Sequence, residues 1–209
     1  MITRWNAALG TLAAIVVLAS AVGCGGSAAS RKLSLKVEGT LTSVFPEDGR
    51  RWTYEAENEV IIALDQLDAA RDALRDAERR LAHGEVVAQR AQEKKAGEPI
   101  AKARVDLAEA EVALGEAKVR AAELAVFCAR ASLELTKARL AVRFDLPVEE
   151  GFVEAFEKQY QDCAEDLASR TTTADERQNV ASKARESWRE ARQTYVKQTG
   201  DHDSGFWVE

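Results

Sequence analysis

The sequence predicts an all-α protein, and three observations carry that expectation. Alanine occurs 38 times, while aromatic residues make up only 6% of the chain. The three prolines, Pro46, Pro99 and Pro147, all fall between long runs or at their starts. Within those runs, apolar residues recur at seven-residue steps. An alanine-rich, charge-rich, aromatic-poor chain matches the composition of long helices and coiled coils. Proline breaks a helix interior but is tolerated in the first turn. Sandwiches, barrels and doubly wound sheets need more β-branched residues, glycines and turns. The expected architecture is a long antiparallel coiled-coil hairpin or an elongated three-helix bundle, with a short irregular or β N-terminal arm.

The first 23 residues stand apart. Arg4 is their single charge, and Ala7 to Val22 is apolar or small. A positive start followed by an apolar stretch is the layout of a secretory signal, too short to be preferred as a spanning helix. The stretch ends Ala21-Val22-Gly23-Cys24-Gly25-Gly26. Small residues followed by Cys resemble the lipobox of bacterial lipoproteins, with Ala21 where the family usually has Leu. The resemblance covers only these first two dozen residues. It implies cleavage before Cys24 and a diacylglyceryl group, usually with an N-acyl chain such as palmitate, on Cys24. Two or more acyl chains anchor stably where one does not. Gly25, not Asp, after the Cys implies the outer membrane, facing the periplasm. The alternatives are an ordinary signal peptide with Cys24 incidental, or an uncleaved anchor. Loss of Arg4 leaves 28 basic against 35 acidic residues, a balance of −7. Phosphate recognition rests on Lys/Arg patches, so nucleic acid is not an expected partner.

Residues 24–52 read as a lipidated tether and N-terminal arm. Leu33, Leu35 and Val37 alternate with polar residues, as in a short hairpin or an extended arm, and Phe45-Pro46-Glu47-Asp48-Gly49 reads as a turn. The helical bundle is expected over 53–198. Its runs are about 53–95, 99–144 and 148–198, each on the order of 65–75 Å long at 1.5 Å per residue. The first ends in Lys94-Lys95-Ala96-Gly97, cations followed by glycine. Thr171-Thr172-Thr173 interrupts the third run, and Thr173 with Glu176 fits a capping box for a restart. Residues 199–209 form a C-terminal tail.

Spacing also orders the helices. The first carries Val60, Leu67, Leu74, Leu81 and Ala88, each followed three residues later by Ala63, Ala70, Ala77, Gly84 or Ala91. Large and small edges of this kind let backbones approach closely. The second has two such stripes, one through Ile100, Leu107, Leu114, Cys128 and Leu135, the other through Val105, Val112, Val119, Val126 and Leu133. A helix with two apolar stripes has two neighbours, so the second helix is expected in the middle. Folding the third helix back about Asp145-Leu146-Pro147 sets Leu135 opposite Phe156, Ala131 opposite Tyr160, Leu124 opposite Leu167 and Ala103 opposite Trp188. It also sets Cys128 opposite Cys163. An export signal implies an oxidising compartment, so Cys128 and Cys163 are the disulfide candidates; two buried thiols are the alternative.

Chemistry-bearing patterns are sparse. Asp65, Asp68, Asp72, Asp76 and Glu78 lie among Arg71, Arg75, Arg79 and Arg80, a salt-bridge-laced face. His83 reads as a solvated helix residue. Asp201-His202-Asp203 reads as a solvated tail, so no metal site and no cofactor are expected. Neither Cys128 nor Cys163 has a neighbouring His to activate it. Phe206, Trp207 and Trp52 are the candidate interaction residues. The expected function is that of a membrane-anchored cell-envelope lipoprotein acting as a structural or protein-interaction rod, not an enzyme. Its partners are membrane lipid through Cys24 and a protein, or a second copy, through apolar seams. The Ala/Leu spacing of the first two helices, over about 90 residues, is similar to the α-helical hairpins of bacterial efflux proteins. That likeness implies an accessory role in an efflux or secretion complex as an alternative. A periplasmic chaperone using the second apolar stripe as a client groove is another.

Overall fold

Three long helices follow from three uninterrupted apolar repeats, and the middle one is apolar on two sides. The structure, a computed structural model, describes residues 32–94 and 97–202. Its elements are α1 (Gly39–Ser43), α2 (Glu47–Lys94), α3 (Glu98–Arg143) and α4 (Phe152–Thr199). At 1.5 Å per residue each long helix is about 70 Å in length. Within the described residues no strand occurs, and 32–38 is irregular, so the β form of the arm is not seen.

α2 packs on α3 and α4 packs on α3, but α2 and α4 do not pack on each other. The helices therefore lie side by side as a layer with α3 in the middle, not as a bundle closed around one shared core. Along the α2–α3 seam Arg71 meets Glu123, Leu74 meets Gly115, Arg80 meets Glu111 and Gly84 meets Val105. Along the α3–α4 seam Arg139 meets Glu157, Cys128 meets Cys163, Glu111 meets Arg185 and Arg104 meets Trp188. In both seams one number rises as the other falls, so neighbouring helices run in opposite directions.

The heptads explain what each seam buries. The buried residues of α2 are mostly small: Ala56, Ala63, Ala77, Gly84 and Ala91, with Leu67 the one large apolar side chain among them. α3 buries Ala101, Ala108, Gly115 and Val126 from its second stripe and Ile100, Leu107, Leu124, Cys128 and Leu135 from its first. A Cβ on Gly115 would sit 3.0 Å from Leu74 Cδ1 and 3.2 Å from Leu74 Cα. Backbone therefore faces backbone across that point. Gly115→Ile should force the helices apart and cost about 1–3 kcal/mol, the usual toll of overpacking. Denaturant unfolding checks this, with a lower midpoint at unchanged slope as the expected result.

Three expectations about helix bounds are corrected. The first long helix begins at Glu47, not near Thr53. Residues 47–49 wind into its first turn because Gly49 packs under Phe144, where an added Cβ would meet the ring at Cε2. The third long helix starts at Phe152, after an irregular stretch 146–149. It also passes through 171–173 without a break. The hydroxyls of Thr171, Thr172 and Thr173 donate to the carbonyls of Leu167, Ala168 and Ser169 at 2.9, 3.0 and 3.1 Å. Satisfied inside the helix in this way, they do not compete with its backbone. Trp188 is buried, with the Arg104 guanidinium of α3 over its ring. Tyr160 is more than one-third exposed, while Ala131 is fully buried.

Candidate interaction surfaces

The arm is built from residues whose backbone has no ladder to join. Its N–H groups are met by two side chains. Gln159 Oε1 accepts from Leu35 N at 2.9 Å and from Ser34 Oγ at 2.6 Å, and Gln159 Nε2 donates to Leu35 O at 3.4 Å. Glu134, buried on α3, accepts from Val37 N at 2.7 Å and pairs with Lys137 at 2.8 Å. Buried carboxylates persist when paired and hydrogen-bonded in this manner. Val37 then packs with Leu135, Ala138 and Phe156, and Phe45 packs with Leu140 and Ala141. Phe45 and Phe144 ring centroids lie 6.1 Å apart. The arm is thus docked across the end of the layer where α3 turns into α4. Glu134→Ala should strand the Val37 amide and loosen the arm by about 1.5–3 kcal/mol, the range for a hydrogen bond to a charged group. Faster hydrogen exchange at Val37, with helix amides near Leu67 unchanged, is the expected readout.

That same end gathers exposed apolar side chains. Trp52, Tyr54, Ile61, Ile62 and Leu64 from α2, with Val44, Val142 and Tyr160, are all at least one-third exposed. At the helical rise they fall within about 25 Å of the arm end. Only Val86 and Val180 among the other large apolar residues described share such exposure. At about 100° per residue Tyr54, Ile61, Ile62 and Leu64 lie on one side of α2 and Trp52 on the other; grouped exposed apolar residues mark contact with another molecule more often than isolated ones do. Trp52, an expected interaction residue, is 52% exposed at the same end of α2. Phe206 and Trp207 lie outside the described residues, as do Cys24 and the whole segment read as a signal.

Cys128 and Cys163 are brought together in the α3–α4 seam, with sulfurs at bonding distance and Cα atoms 5.6 Å apart. That spacing lies within the normal disulfide range. Leu124, Phe127 and Leu167 pack around the pair.

The carboxylate-arginine face of α2 is laced as expected. Asp68, Asp72 and Asp76 pair with Arg71, Arg75 and Arg79 three residues on. On exposed helices such pairs contribute a few tenths of a kcal/mol each. Lys102, its ammonium pKa raised by the hydrogen bond and charge of Asp106, is a further exposed pair. Among the described residues no group of three His, Cys, Asp or Glu side chains is arranged to hold a metal. No described helix is long and apolar enough to cross a membrane.

One polar constellation was not anticipated. Glu111 on α3 pairs with Arg80 of α2 at 3.1 Å and with Arg185 of α4 at 2.7 Å. It ties both outer helices to the middle one through ion pairs. Beside it two guanidiniums approach the Trp188 indole, Arg104 at 5.3 Å and Arg192 at 5.8 Å from the ring centroid. Arg104 is only 7% exposed. Arg80, Arg104, Glu111, Arg185, Trp188 and Arg189 line a cleft of about 350 Å³. The sequence signal was present as arginines three before, one after and four after Trp188, on one helical face. Arg80 and Arg104 come from other helices, so no local spacing reveals the cleft.

No known family matches this chain, and neither a curated protein nor a solved structure is significantly similar to it.

Proposed function

We propose that this chain is a cell-envelope lipoprotein, anchored through lipid on Cys24 and working as a structural or protein-interaction rod. In this reading the two seams are antiparallel coiled coils, and the anchor sits on the outer membrane facing the periplasm. The observation that carries the reading is the docked arm. Residues 34–37 are hydrogen-bonded to α3 and α4, so whatever holds the segment before Lys32 holds the rod at one end. Lys32 is eight Cα–Cα steps from Cys24, and an extended chain of that length reaches at most about 29 Å. The opposite end of the layer would then stand several tens of ångströms from the anchor.

The partner surface in this reading is the exposed apolar end around Trp52, Tyr54, Ile61 and Ile62. The two stripes of α3 pack against α2 and α4, so this reading puts the partner contact on the outer faces and keeps a client groove or a self-association seam as the alternatives. The efflux or secretion accessory role uses the same rod and the same surface, so it stays as the narrower version of the proposal.

A photo-crosslinking residue at Ile61 in intact envelopes tests the partner surface, with one at the exposed Gln178 on α4 as control. Capture of a defined species from Ile61 and not from Gln178 supports the assignment. Equal capture from both, or none from either, contradicts it.

A further inference from the structure

We propose that the outer side of α2 pairs with the same face of a second copy of this chain, the two helices running antiparallel. The proposal rests on the reading of that side as the partner surface, and it names the occupant. α2 is an edge of the layer: among the described elements it packs on α3 alone. Ala63, Leu67 and Ala77 are buried on one side of it. On the other side, steps of four and three residues lead from Ile61 through Asp65, Asp68 and Asp72. They continue through Arg75, Arg79 and Ala82 to Val86. All of these residues are exposed, Ile61 by 54% and Val86 by 45%. Alternate steps of four and three residues make the seam of a coiled coil. This seam carries an apolar residue at each end, with an acidic block and a basic block between them.

Charge selects both the partner and its direction. Set antiparallel about a two-fold axis between Asp72 and Arg75, the face meets its own copy with opposite charges. Asp72 comes opposite the second copy's Arg75, and Asp68 opposite its Arg79. Ile61 comes opposite Val86, and Asp65 opposite Ala82. At the flanks Glu57 comes opposite Arg90, and Arg71 opposite Asp76. The two-fold axis makes each of these contacts twice. A parallel pair would set Asp68 on Asp68 and Arg79 on Arg79. Sliding the antiparallel pair by one heptad sets Asp68 on Asp72, or Arg75 on Arg79. Like charges in contact cost free energy, so the first register is the favoured one.

These charges are also paired along α2, Asp68 with Arg71, Asp72 with Arg75 and Asp76 with Arg79. Asp68, Asp72, Arg75 and Arg79 nevertheless each expose more than 60% of the side chain. A carboxylate accepts, and a guanidinium donates, several hydrogen bonds. Crossing the Asp72–Arg75 pair with its copy therefore makes a square of alternating charge, and the contact across the seam adds to the local pair. Apolar contact is confined to Ile61 with Val86 at the two ends, about 38 Å apart at 1.5 Å per residue. Such a pair belongs to the weak, salt-sensitive class. The two docked arms fall at its opposite ends, so under the tethered reading it carries an anchor at each end.

Sedimentation equilibrium of the full chain in density-matched neutral detergent tests the proposal. The expected result is a monomer–dimer equilibrium with a midpoint at or below about 100 μM at low salt. Salt at about 0.5 M should weaken it roughly tenfold or more. Asp68→Arg with Asp72→Arg turns the centre of the seam basic, and Arg75→Glu with Arg79→Glu turns it acidic. Each double variant alone should stay monomeric at about ten times that midpoint, while an equimolar mixture of the two should pair one to one. A photo-crosslinking residue at Ile61 in the purified chain gives a readout with no charge changed. Its expected adduct joins Ile61 to the region of Val86 in a second copy. A monomer at every concentration overturns the proposal. So do dimers that survive in both double variants, or an adduct to the second copy's own Ile61 region. If the purified chain is monomeric, capture of a different protein from Ile61 in envelopes overturns this pairing and leaves the partner surface standing. Capture of nothing there removes both.

Discussion

Leu67→Ala should lower the unfolding free energy by about 2–5 kcal/mol, the range for truncating a buried leucine. Leu67 is 1% exposed and packs against Ala63 and Val126, with Val119, Ala122 and Ala129 around it. The rest of the buried α2 surface is alanine, glycine and one threonine. Small neighbours on stiff helices have no side-chain length with which to fill the hole. The loss therefore belongs in the upper part of the range, and a melting temperature lower by roughly 4–20 °C is expected for a chain of this size. Ile62→Ala, on the exposed side of the same turn, should change stability by less than about 0.5 kcal/mol. Thermal unfolding of the two variants side by side checks both values. Equal losses would mean that α2 does not present Leu67 to α3.

The second large effect is expected at Cys128 and Cys163. A bond between them closes a loop of 35 residues and should stabilise the fold by about 2–4 kcal/mol, chiefly by restricting the unfolded chain. Thiol titration of unreduced, denatured protein should find neither cysteine reactive. The double change Cys128→Ser with Cys163→Ser should melt at a lower temperature, with unchanged helix content by circular dichroism. Two reactive thiols per chain before reduction would show the pair to be unbonded. The α3–α4 seam would then rest on contacts such as Leu124 with Leu167 and Leu135 with Phe156.

Local spacing made much of this layer legible. The alternation of large and small residues through Leu67, Ala77 and Gly84, and the two stripes of α3, are properties of one helix at a time. They specify which faces are buried without knowledge of the partner. Folding two such helices about a short turn was enough to bring Cys128 to Cys163, because a rigid rod carries register over many turns.

What stayed hidden depends on contacts between distant segments. Gly49 reads as a turn residue, but it lies in the first turn of α2 with the Phe144 ring against it. The threonine run reads as a break because hydroxyls compete with backbone, yet these bond to carbonyls four residues back. The arm reads as alternating strand, but its amides find Gln159 and Glu134 instead of a second strand. Glu111 is one of many carboxylates in the sequence. Arg80 and Arg185, about 30 and 75 positions away, are what make it a tie between three helices.

These features bear on the proposed function through one geometric fact: the arm docks at one end of the helical layer. If Cys24 carries the lipid, the membrane contact is made at that end and the Arg–Trp cleft is carried away from it. The most direct measurement is the partition of the full-length chain and its Cys24→Ser variant between membrane and soluble envelope fractions, together with incorporation of labelled palmitate. The wild type should be found in the membrane fraction and take up label, and the variant should lose both. A variant that stays quantitatively in the membrane fraction without label would contradict lipid anchoring at Cys24, and with it the tethered-rod account.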